Sequence, residues 1–106
     1  MLRKEQDTYP SRKVLQTIKN WLDSLGGLLC FVIDEWNTDF GKATISLLPH
    51  NHFQYDFFTG GWSGNEDLIA ALSKNFYAWS QLWESSHRGG RFVFVLKNNE
   101  SEKVIK

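Results

Sequence analysis

Residues 57–95, FFTGGWSGNEDLIAALSKNFYAWSQLWESSHRGGRFVFV, decide how the rest of the chain is read. The run Thr59-Gly60-Gly61-Trp62 breaks a strand, and Ser63 with Glu66 three residues later fits a capping box, so a helix is predicted to start near Gly64. Leu68, Leu72, Phe76, Trp79 and Trp83 then recur at steps of four, four, three and four, which places them on one stripe of a single long helix, widened by Ile69 and Leu82. Glu66 and Asp67 lie in its first turn and His87 and Arg88 just past its last, the signs that a helix dipole favours. Gly89-Gly90 supplies a left-handed stop. Arg91–Lys97 follows as a strand.

Upstream, Val14, Leu15, Ile18, Trp21, Leu22 and Leu25 form one apolar stripe, predicting a first helix from about Ser11 to Leu25, ended by Gly26-Gly27. Leu28–Ile33 is apolar without alternation, as a strand buried on both faces would be. Lys42–Leu48 and His52–Phe58 alternate between apolar and polar residues and read as two more strands, joined by a turn at Pro49-His50-Asn51. The expected fold is α+β, in the order α-β-β-β-α-β: a four-stranded, mainly antiparallel sheet with two helices packed on one face. The strand at Leu28–Ile33 is placed centrally, in the order 3-2-1-4, with a crossover to the last strand. The other face, with Thr44, Ser46, His52, Gln54, Asp56, Val93 and Val95, is left half open.

The 106 residues suit one domain, with residues 1–8 and 98–106 read as flexible tails. Twelve basic and twelve acidic residues balance. That balance argues against a surface built to wrap nucleic acid or an anionic membrane, while leaving room for a local patch. Aromatic residues make up 15% of the chain, including five tryptophans, more than a core of this size needs, so part of the aromatic surface is expected to face a partner. Cys30, the single cysteine, is expected to be a buried, reduced thiol. No stretch is long enough to span a bilayer, and the charged N-terminus lacks an apolar signal core, so a cytoplasmic location without membrane contact is expected.

Catalytic and cofactor chemistry finds little footing. The glycine turn before Glu66 lacks a P-loop lysine and puts two carboxylates where a phosphate would lie. His50, His52 and Asp56 form the most metal-like set, but along one strand they spread over about 20 Å at ~3.3 Å per residue, so only the two histidines could share an ion. Asp34 and Glu35 are adjacent and point to opposite faces of a strand, and Ser63 has no base beside it. The expectation is therefore no enzyme activity, no metal and no cofactor. Trp62, between glycines, is either a lid over the helix start or an exposed contact anchor.

A helix, three antiparallel strands and a second helix is also the element order of the double-stranded RNA-binding domain. Such domains grip the backbone with lysines at the start of the second helix. Here that position reads Gly64-Asn65-Glu66-Asp67, which repels phosphate. Basic patches remain open at Arg12, Lys13 and Lys19, or at Arg88 and Arg91, so nucleic-acid binding ranks second.

The Thr59–Glu66 turn, the aromatic helix running to Trp83-Glu84-Ser85-Ser86, and Arg88-Gly89-Gly90 with its aromatic strand together resemble small proteins encoded by bacteriophages and mobile elements. The resemblance covers about Phe57 to Val95 and carries no activity with it. It implies a context in which small proteins occlude host proteins, including components of CRISPR and other defence systems. The leading expectation is thus a non-enzymatic, anti-CRISPR-like module that binds a host protein through some of Trp36, Trp62, His87, Arg88 and Arg91. A homodimer through the half-open sheet is the third reading.

Overall fold

A computed structural model describes residues 9–97; the expected tails at 1–8 and 98–106 lie outside the described residues. The fold is α+β: four helices and a four-stranded antiparallel sheet. The elements are α1 (Arg12–Lys19), α2 (Leu25–Glu35), β1 (Lys42–Leu47), β2 (Phe53–Phe58), α3 (Ser63–Ser73), α4 (Phe76–Leu82), β3 (Trp83–His87) and β4 (Arg91–Leu96). The sheet order is β1-β2-β4-β3.

This order corrects the α-β-β-β-α-β expectation at three places. The apolar run Leu28–Ile33 is helical. Ser24 starts α2 by accepting from the Gly27 amide at 3.0 Å, so the glycine pair read as a helix stop is instead the first turn of the next helix. The indole of Trp21 donates to the Ser24 carbonyl and lies over Gly27, closing the junction. Helical spacing then buries Leu28, Leu29 and Val32 and leaves Cys30 exposed, contrary to the buried thiol expected for a strand. The element order of the double-stranded RNA-binding domain goes with it.

The long aromatic helix is also two helices. Asn75 interrupts it, accepting from the Ala78 amide as the N-cap of α4 and donating to the carbonyls of Ile18 and Trp21 at the end of α1. The break resets the phase. Leu68, Leu72 and Leu82 are buried and Trp79 packs on the core as the stripe requires, but α4 also turns Ala78 inward and leaves Phe76 80% exposed. Finally, Trp83–His87 leaves the helix and pairs with β4, so Gly89 and Gly90, both at positive φ, form the turn of a β-hairpin rather than a helix stop.

The other strands match the alternation. β1 pairs with β2 and β2 with β4, both antiparallel, which places Tyr55 beside Ile45 and Phe94, and Phe57 beside Ala43 and Phe92. Tyr55 and Phe57 carry the core face. Trp36 packs on Phe57 and Trp79 on Phe94, so the helices that cover the sheet lie on that face. Ile18, Leu28, Leu29, Val32, Leu68 and Leu72 complete the core. No helix among the described residues is long and apolar enough to cross a membrane.

Candidate interaction surface

The surface is built where the two glycine turns of the sequence meet. Thr59, fully buried, joins them: its amide donates to the Gly90 carbonyl at 3.0 Å, and its hydroxyl accepts from the Gly61 amide at 3.2 Å. A side chain at Gly90 would run into the Thr59 hydroxyl, and one at Gly60 into the Phe40 carbonyl, so glycine is needed for the close approach at both. Asn65 fastens the same end. Its side chain accepts from the Asn37 amide and donates to the carbonyls of Asn37 and Thr59.

The capping box expected at Ser63 does not form. Trp62 is the N-cap, without a side-chain bond, while the Ser63 hydroxyl donates to the Tyr9 phenol and Thr59 bonds the Glu66 carboxylate at 3.5 Å. The Trp62 ring packs over the helix start. It covers Gly64, stacks on Phe40 at 5.2 Å and lies 5.0 Å from Tyr9. Trp62 is half-buried, so lid and contact are not alternatives: the lid is the middle ring of a three-ring stack whose outer members, Tyr9 and Phe40, are exposed.

Of the expected contact residues, Trp36 is only 5% exposed, with its ring on Phe57 and its indole donating to the Phe58 carbonyl at 3.3 Å. It belongs to the core. Arg88 is exposed in the hairpin turn, and His87, at the end of β3, shares a 2.9 Å bond with the Ser85 hydroxyl. Arg91 opens β4 and forms a salt bridge to Asp56, through Nε at 2.9 Å and Nη2 at 2.6 Å.

Pairing also assembles a row that the sequence did not disclose. His87 lies opposite Arg91, Arg91 opposite Phe58, and Phe58 opposite Lys42. The four residues cross all four strands on the face away from the helices, over about 14 Å at ~4.8 Å per strand. The Phe58 ring lies between two cations, with Lys42 Nζ 5.8 Å and the Arg91 guanidinium 5.7 Å from its centroid. Asp56 lies one step inward. Burial alone would raise its carboxyl, but hydrogen bonds from Gln54 and Arg91 and the Arg91 charge outweigh this and hold it below the usual value. Only strand register joins Lys42 and Arg91 to Phe58 and His87.

The histidines read as a metal pair, His50 and His52, have ring centroids 6.2 Å apart at the β1–β2 turn, and Asp56 is engaged by Arg91. Among the described residues no group of three or more His, Cys, Asp or Glu is arranged to hold a metal ion. A shallow cleft of about 330 Å³ between α1 and α3 is lined by Arg12, Lys19, Lys74 and Asp67 over Leu15 and Ala71. Comparison with protein-family models, curated proteins and solved structures returned no match.

Proposed function

We propose that the protein is a non-enzymatic binding module that occludes another protein, in the setting of a bacteriophage or mobile element and with a host defence component, such as one of a CRISPR system, as the class of target. The observation that carries this reading is the convergence of two kinds of contact group at one end of the sheet. The Tyr9–Trp62–Phe40 ring stack and the His87, Arg88 and Arg91 cluster are joined there through Thr59. Rigid aromatic anchors beside arginines are the composition that dominates protein interfaces. Lys42 and Arg88 bias the site toward a partner with an acidic surface. The phage context rests on the resemblance of Phe57–Val95 alone.

The test is capture of bacterial proteins by the purified chain, with and without nuclease, beside Trp62→Ala and Arg88→Ala. The reading expects one protein retained stoichiometrically despite nuclease, and lost with either variant while both remain folded. Retention by both variants would remove the site.

A second reading follows from the cation–aromatic row. Phe58 between Lys42 and Arg91 is an arrangement on which a base can stack while phosphates meet the flanking charges. Recovery that disappears with nuclease and weakens steeply as salt rises would put this reading first.

A further inference from the structure

The two edges of the sheet are unlike. β3, at one edge, carries a register shift between Trp83 and Ser85 and presents Glu84 and His87. A bulge and charges are the usual means of preventing another strand from pairing. β1, at the other edge, has no bulge: its register with β2 is unbroken from Lys42 to Leu47, and it contains no proline. Its one charge, Lys42, is drawn over the Phe58 ring on the open face. On the helix-covered face the same strand leaves Ile45 51% and Leu47 67% exposed, next to the exposed Phe53. Among the described residues, an unprotected edge thus coincides with an uncovered apolar row.

Which backbone groups are free follows from the ladder. The Leu48 amide donates to the His52 carbonyl at 2.8 Å, so even-numbered residues of β1 bond toward β2, and Ala43, Ile45 and Leu47 direct their N–H and C=O groups outward. We propose that this edge pairs antiparallel with the same edge of a second copy about a two-fold axis at Ile45. Ile45 then faces its own copy, Leu47 faces Ala43, Thr44 faces Ser46, and Lys42 faces Leu48 rather than another lysine. All outward groups of the three odd residues are bonded. Side-chain faces are preserved, so the apolar rows of both copies join into one between the two helix layers. Because β3 is blunted, pairing closes at two copies and does not propagate.

Light scattering and sedimentation of the purified protein test this. The wild-type chain is expected at twice the chain mass, and Leu47→Lys and Ile45→Lys at half that value with unchanged far-ultraviolet dichroism; both positions are exposed, so folding survives the change. The double variant Thr44→Cys/Ser46→Cys in a Cys30→Ser background reports the register independently, since these two positions face each other as a non-bonded antiparallel pair with Cα atoms about 4.5 Å apart and side chains close, within the ~4.4–6.8 Å range of a disulfide. Mild oxidation is expected to cross-link it into a dimer. A wild-type chain that stays monomeric at its solubility limit, or a dimer that survives Leu47→Lys, overturns the pairing. A dimer that Thr44→Cys/Ser46→Cys does not cross-link overturns the register.

Discussion

Asn65 and Asn75 are buried amides, and each joins pieces of chain far apart in sequence. Asn75 caps α4 through Ala78 and bonds two carbonyls at the end of α1; Asn65 ties Asn37 to Thr59. Replacing such a side chain leaves several buried backbone groups without partners, each costing about 1–3 kcal/mol. Asn75→Ala is expected to lower stability by about 2–4 kcal/mol in urea unfolding. Asn75→Ser, which keeps a capping oxygen but not the two donors, should recover about 1 kcal/mol of that loss. A loss below about 0.5 kcal/mol, the scale of an ordinary surface change, would mean that the α1–α4 link is not held by these bonds. Asparagine in a polar-looking run carries no sign of this role, because its partners are main-chain groups that only folding supplies.

At the scale of elements, period was informative where an element stands on the sheet and misleading where it meets another helix. Alternation located β1, β2 and β4 and their inward faces to within a residue or so. Leu28–Ile33 failed because an apolar run without alternation suits a buried strand and a buried helix equally; the deciding signals were local, the Ser24 cap and the Trp21 indole over Gly27. The helix after Thr59 failed through phase: three of its five stripe residues, Phe76, Trp79 and Trp83, lie beyond the Asn75 restart, and Trp83 belongs to β3. Phe76, core on a continuous helix, projects from α4. Phe76→Ser is accordingly expected to change unfolding free energy by less than about 0.5 kcal/mol, against the 3–5 kcal/mol of a truncated core phenylalanine. Chemical denaturation separates the two values clearly. The exposed ring leaves Phe76, beside the exposed Tyr77, as apolar surface at the start of α4.

At the scale of the molecule, the open face is electrostatically organised around Asp56. Its carboxyl lies below the ordinary value in the folded chain, so folding gains from its ionised form. That gain is present in full above the unfolded value of about 4 and is lost as pH falls through the folded value. Asp56→Asn should therefore be less stable than wild type at neutral pH, by about 1–2 kcal/mol for a charge-assisted pair. The gap should close as pH is lowered below the folded value. Thermal melts of both proteins from neutral to acid pH measure it, and a gap independent of pH would assign the loss to shape rather than charge. The sequence alone determined the α+β class, three of the four strands, their facing and the importance of the two glycine turns, because these depend on spacing along one chain. Tertiary structure alone decided the break at Asn75, the strand at Trp83–His87, the burial of Trp36 and the Lys42–Phe58–Arg91–His87 row. Each of those depends on which distant residue supplies a hydrogen bond or a neighbouring strand, and that information is not written in any local period.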